Sequence, residues 1–282
     1  MDSLDWIPFS RGVRVLAQHP LGLLAVEKPA GVMAHPNPGE KSEGDAVLIQ
    51  GNYSMEEEAF HVRNGAGGIR RVYLLNRLDS PTSGVLLLCL EASLADKVKK
   101  LFAQHQVAKR YLAVVRGRGL RTPRGTWQDV LTKSKGPEAG VRSAVKSAGG
   151  PPAITLYRWE RAAEGGLPLS LLQLEPRTGR THQLRVQTAK HGHPILGDRT
   201  YGDFEFNKNL GSARGFKRLF LHACETECTF DWAGQKVHFK AVSPMPEEFA
   251  KVLGDVDGGR PASLTKPRPL GTKVSPRLRV RL

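Results

Sequence analysis

The amino-acid sequence predicts an α+β protein with a mixed, mostly antiparallel central sheet and flanking helices. Three observations lead there. Apolar runs of strand length, such as GLLAVE, GVLLLCLE and PLSLLQLEP, recur along the chain, and short apolar runs bounded by turn residues read as buried strands. Segments with apolar residues at helical spacing are few. The connections are mostly local and rich in Gly and Pro, which favours hairpins over the long crossovers that parallel strands require. A chain of 282 residues has ample material for a core.

Taken in order, residues 12–27 read as two strands, VRVLAQ and GLLAVE, joined by a His-Pro turn, and KPAGVMAHPNPG (28–39) as a loop. Residues 40–69 are weakly patterned. NGAGG (64–68) is a connector without the Lys-Ser/Thr that a phosphate loop needs. VYLLNRL and GVLLLCLE flank a turn at Asp79. Ser93 and Asp96 have capping-box spacing, and Leu94, Val98, Leu101 and Phe102 follow with helical periodicity. KRYLAVVRG (109–117) returns to strand, and 118–150 is a basic Gly/Pro-containing insert. AITLYRWE (153–160) and PLSLLQLEP (168–176) form the next strand pair. TGRTHQLRVQTAKHG (178–192) reads as a helix entered through a Gly turn. RLFLHACETECTF and KVHFKA are late strands, and PMPEEFAKVLG is a short final helix. There is no internal repeat.

Composition narrows the function. No apolar run approaches the roughly 20 residues of a membrane span, and the acidic start MDSLDWIPFS lacks a signal-peptide pattern. A cytoplasmic location is expected. Three cysteines are too few for a disulfide scaffold. Cys224 and Cys228 lie near His222 and His238, but without zinc-finger spacing, so no metal site is expected. The strongest signal is charge: 42 Lys and Arg against 27 Asp and Glu, a formal net of +15. Such a chain usually meets a polyanion, most often nucleic acid. Residues 1–254 are expected to form the folded domain, with its core at about 15–250. Residues 255–282 read as a basic, Pro-rich, disordered tail. Its segment 260–282 holds seven basic residues, four prolines and no acid.

Two clusters could carry chemistry. In LLNRLDSPTSGVLLL (74–88), Arg77 and Asp79 sit between apolar runs, where unpaired charge is costly. Asp79 is either the cap of an Asx-turn through its own side chain or a carboxylate nucleophile or base at the rim of a rigid sheet. In PRTGRTHQLR (176–185), Arg177, Arg180, His182 and Arg185 crowd a Gly turn. A solvated basic helix face is one reading; RNA phosphates, or one buried Asp–Arg pair together with phosphates, account better for so many arginines.

These segments resemble the RluA-type pseudouridine synthases. RLDSPTSG (77–84) is similar to that family's HRLD-x-x-T-S-G signature. EKPAGVMAHP, KRYLAVVRG and PRTGRTHQLRVQTAKHGHPILGDRTYG resemble three further family segments in the same order, and LFLHA (219–223) fits as well. The likeness covers about residues 15–250. It implies the pseudouridine synthase catalytic fold and an enzyme that isomerises uridine to pseudouridine in tRNA or rRNA, without metal or organic cofactor. By the same resemblance Asp79 is the catalytic aspartate, Tyr111 the aromatic that stacks near the target base, and Arg180 the arginine that pairs with the aspartate. Arg77 helps fill the space a flipped base leaves. Lys28, His35, Arg177, His182, Arg185, Lys190 and Arg199 are further candidates for RNA contact.

The match departs from the pattern at Asn76, where the family usually has His. The catalytic motifs begin by about residue 20, so the short form without an S4 domain is expected, acting as a monomer. Two other readings are open: a catalytically silent RNA-binding protein of the same fold, and a glycoside hydrolase pairing Asp79 with Glu27 or Glu175.

Overall fold

The computed structural model describes residues 3–36, 46–63, 67–135, 141–146 and 150–254. Among them the strands are β1 (Arg14–Gln18), β2 (Leu23–Lys28), β3 (Asn52–Ser54), β4 (Ala59–Arg63), β5 (Ile69–Leu74), β6 (Ser83–Cys89), β7 (Ala108–Arg116), β8 (Arg124–Lys135), β9 (Val141–Lys146), β10 (Ala153–Ala162), β11 (Leu169–Pro176), β12 (Leu221–Trp232) and β13 (Gln235–Val242). The helices are α1 (Ala92–Ala103), α2 (Gln183–Lys190), α3 (Phe204–Arg214) and α4 (Glu247–Leu253). The expected tail, 255–282, lies outside the described residues.

The strands join in one sheet with the path β3-β4-β5-β6-β12-β7-β11-β10-β8-β9; β1 and β2 attach to β6, and β13 to β12. Every pairing of these strands is antiparallel except β6 with β12, so the mixed, mostly antiparallel sheet is observed. Strands β6 and β11 are buried along their whole length. They are covered on both faces, so β6 is apolar along its run of Val85–Cys89, while β11 buries the polar Ser170, Gln173 and Glu175 among its leucines. At the margin, β13 alternates: Val237, Phe239 and Ala241 are buried while their neighbours are exposed.

The parallel pairing sets up the site. It aligns His222 with Ser83 and Ala223 with Gly84 at the very start of β6, directly after the Asp79 turn. Gly84 has φ +114°, and a Cβ there would collide with the backbone of Ala223. Glycine is therefore required for β6 to reach β12.

Three local expectations are revised. Helix α1 begins one residue before Ser93, with Glu91 at the cap and no side-chain capping bond; Ser93 lies inside the helix, so the capping box does not form. The 118–150 insert contains the antiparallel pair β8–β9. Helix α3 is an addition. It is capped by Asp203, whose side chain accepts from the Phe206 N–H.

Candidate active site

Residues 75–79 carry an extended segment from β5 into a turn closed by the Thr82 N–H donating to the Asp79 carbonyl (2.9 Å). Side chains alternate along it. Asn76 turns inward, its Oδ1 accepting from the Leu87 N–H at 2.8 Å, and Leu78 is buried. Arg77 is exposed and Asp79 is partly exposed on the other side. Asn76 thus pairs a backbone N–H of β6 with its side chain just past the Leu75–Leu87 backbone bond.

The turn is fastened to the early loop. The Gly31 N–H donates to the Ser80 carbonyl (2.8 Å), and Ser80 Oγ donates to the Gly31 carbonyl (3.0 Å). Lys28 completes the joint. Its side chain is fully buried, and Nζ donates to the carbonyls of Pro29 (2.9 Å), Val32 (2.6 Å) and Ser80 (2.9 Å). Burial pushes its pKa down to about 7, against the pull of the Asp79 charge. Lys28 therefore does not reach RNA, because all three donors of its ammonium are spent on backbone. Lys28→Met is expected to destabilise the fold by about 2–4 kcal/mol, since it leaves buried carbonyls unpaired. It should also lower turnover of the folded fraction by loosening the Asp79 turn. Chemical denaturation and single-turnover assays would check both.

The Asp79 side chain does not close an Asx-turn. Its Oδ2 accepts from Arg185 Nη1 at 3.1 Å. The pairing expected of Arg180 is thus made by Arg185. The reason is local. His182, in the left-handed conformation (φ 54°), is the N-cap of α2, so the helix starts at Gln183. Arg185 lies in the first turn facing the sheet, while Arg180 stays outside, exposed, its N–H donating to Gln183 Oε1 (3.0 Å).

Arg185 is itself gripped. Its Nε and Nη2 donate to Asp198 Oδ2 (2.8 Å) and Oδ1 (2.9 Å), a bidentate pair. Its guanidinium also lies over the Tyr201 ring at 5.2 Å. The Arg185 and Asp198 side chains are 7% and 1% exposed. Burial opposes charge on Asp198, but Arg185 and the N–H groups of Thr200 and Tyr201 outweigh it and hold the carboxyl below the usual range. Asp198, within the quoted HPILGDRTYG stretch, escaped the sequence reading; a lone acid in a basic segment was its signal. Gly197 beside it has φ +75°, and a Cβ there would strike the Arg218 carbonyl.

Two further groups face the carboxylate. Tyr111, central in the sheet between β11 and β12, has its hydroxyl pKa pushed well up by burial and then by the Asp79 charge. His182 Nε2 lies 3.8 Å from Asp79 Oδ2, while Nδ1 is 2.9 Å from the Tyr201 hydroxyl. Burial lowers the His182 pKa, which favours neutral imidazole.

The remaining candidates divide. Arg177 is exposed and paired with Glu175 at 3.2 Å. Lys190, at the far end of α2, is bound to buried Asp129 at 2.6 Å. Both have a carboxylate in place of the expected phosphate. Arg199 is exposed and, with Arg185, Lys217 and Arg218, lines a cleft of about 480 Å³ beside Ser80 and Pro81. Among the described residues Arg199 and Lys217 have no acidic partner. Arg218 donates to Ser83 Oγ (2.5 Å) and faces Glu248 (3.6 Å). His35 and Arg77 approach one another at 3.5 Å.

Comparison with known proteins adds to this geometry. Residues 22–190 match a family model described as RNA pseudouridylate synthase. The chain is 33% identical over 249 residues to the tRNA pseudouridine synthase C of Salmonella typhi, covering 86% of this chain and 88% of that protein. It is also 33% identical over 245 residues to the ribosomal large subunit pseudouridine synthase C of Escherichia coli K12, covering 84% and 68%. Among solved structures, the human RNA pseudouridylate synthase domain containing 1 superposes with a TM-score of 0.59 at 23% identity, over 86% of this chain and 94% of that one. This last likeness concerns the fold alone.

Proposed function

Because the chain belongs to the RNA pseudouridylate synthase family, we propose that Asp79 is the carboxylate through which it isomerises uridine to pseudouridine in tRNA or large-subunit rRNA. The observation that supports this most is the partly open Asp79 carboxylate on a clamped turn, engaged through Oδ2 by the doubly anchored Arg185. Among the described residues Asp79 Oδ1 accepts no hydrogen bond, which leaves one oxygen for the ribose.

The chemistry is redox-neutral. The C1′–N1 bond breaks, the uracil turns, a C1′–C5 bond forms, the C5 proton leaves and N1 gains one. The electron balance calls for no cofactor. A carboxylate serves by attacking C1′ or by taking the C2′ proton, and either needs it charged and aimed. Arg185 aims it, through the hydrogen bond from Nη1 to Oδ2. Uridine must leave its stack to reach Asp79, at a cost of a few kcal/mol. Stacking on the Tyr111 ring returns about 1–3 kcal/mol. The protonated Tyr111 hydroxyl then stands as a hydrogen-bond donor near the base. Arg199 and Lys217 would hold backbone phosphates, contacts that set register rather than sequence.

A glycosidase reading fares worse. Glu27 is paired with Arg14 (2.7 Å) and Glu175 with Arg110 (3.3 Å) and Arg177, so neither is an open second carboxylate.

The test is to incubate the protein with tRNA and large-subunit rRNA transcripts, digest them to nucleosides and separate pseudouridine from uridine. Pseudouridine in one transcript class supports the proposal and names the substrate. None in either, with RNA demonstrably bound, contradicts it and favours the silent RNA-binding reading.

A further inference from the structure

On the side of Asp79 marked by Arg77, three aromatic rings pack in series, the outer two stacked and the innermost tilted. Phe60, fully buried on β4, lies under Tyr53 of β3, its register partner, at 4.8 Å between centroids and 60° between planes. Tyr53 in turn carries His35 at 5.1 Å with the planes 14° apart. His35 and Tyr53 are each only partly buried. The His35 Nδ1 sits 2.8 Å from the Pro36 carbonyl. A carbonyl only accepts, so Nδ1 carries a proton and donates to it. The ring's Nε2 is 3.5 Å from Arg77 Nη1. Arg77 is exposed, has no acidic partner among the described residues, and precedes Asp79 by two positions.

We propose that the His35–Tyr53 pair, edged by Arg77, is a stacking seat for an unpaired nucleobase next to the uridine that enters the Asp79 site. The inference rests on the RNA-isomerase reading and adds a subsite to it. Flipping one base removes a stacking partner from its neighbours, and that loss must be met elsewhere. Aromatic rings meet it for any base, because every base has a π-face. The ring order fits a built platform: a buried Phe60 underneath, a Tyr53 fixed by strand pairing, and a His35 on top. The guanidinium at its edge can take the adjoining phosphate or stack in turn. None of His35, Tyr53 and Arg77 lines the cationic cleft, whose walls are Arg185 and the 30–31, 80–81, 197–200 and 217–219 segments.

Stacking and charge contacts have different signatures in salt. A phosphate contact changes the slope of log affinity against log salt, whereas a stacking contact changes affinity at fixed slope. The experiment titrates full-length Asp79→Asn protein, alone and combined with Tyr53→Ala, His35→Ala or Tyr53→Phe, with a tRNA transcript at several salt concentrations. Tyr53→Ala and His35→Ala are expected to weaken binding roughly 5- to 100-fold at every salt concentration with the slope unchanged. Tyr53→Phe should stay within about twofold. His35→Ala leaves the Tyr53–Phe60 packing intact, so a loosened hairpin does not explain its loss. Unchanged affinity in both alanine variants, or a loss confined to a reduced slope, would overturn the proposal. Stacking losses in a protein that makes no pseudouridine would sink the isomerase reading and leave the seat in place.

Discussion

Asp79→Asn should give a folded protein that binds RNA and does not turn it over. Asn has the same shape, and the side chain it replaces is 30% exposed, so packing is kept. Arg185 retains its bidentate partner Asp198, so no buried cation is orphaned. Only the charge opposite Arg185 Nη1 disappears. An amide neither attacks C1′ nor takes a ribose proton at a useful rate. Turnover is expected to fall by roughly 10³- to 10⁶-fold, the range seen when a reacting group is deleted. Thermal unfolding and RNA affinity should stay close to wild type. A comparable loss in all three quantities would mean that Asp79 holds the turn rather than reacts.

The second large effect is at Arg185. Arg185→Met removes the cation between two carboxylates, one of them almost fully buried at Asp198. Breaking a buried pair from one side costs about 3–5 kcal/mol, a large share of a typical domain's stability. Arg185→Lys should rescue little, because an ammonium cannot span both oxygens of Asp198 and also reach Asp79. Arg180→Ala is the contrast: exposed and outside the helix, it should leave stability within about 0.5 kcal/mol and act, if at all, on RNA affinity. Urea denaturation of the three variants separates them. The same pair sets acid sensitivity. The Asp198 pKa is depressed in the fold, so its contribution is fully present above the ordinary aspartate value near 4. It is lost as pH falls through the lower folded value. Wild type should therefore lose stability on acidification below about pH 4, and a less acid-sensitive Arg185→Met would show that this pair is the source.

The sheet was legible because β2, β6, β7 and β11 each carry an apolar run and are separated by turn residues. The Asp79 turn was legible for the same reason, since charge stood out between two such runs. The choice between Arg180 and Arg185 was not. Both fit PRTGRTHQLR, and what separates them is the left-handed backbone at His182, which fixes where α2 begins. Lys28 reads as a surface cation in any linear motif. Its burial follows only from the packing of the 28–33 loop on the Asp79 turn, 50 positions downstream. The Tyr53 platform depends on pairing between β3 and β4, in a stretch whose pattern is too short to announce strands. Helix α3 has low apolar periodicity, and only Asp203 at its cap marks it.

The most direct test of the central claim is release of hydrogen from C5. RNA transcribed with uridine tritiated at C5 is bound to saturation by wild-type or Asp79→Asn protein, and tritium in the solvent is followed through a single turnover. Forming the C1′–C5 bond expels that hydrogen. Release by wild type and none by Asp79→Asn, at equal RNA occupancy, is the expected result. Equal release by both proteins would contradict the assignment of Asp79 as the reacting carboxylate.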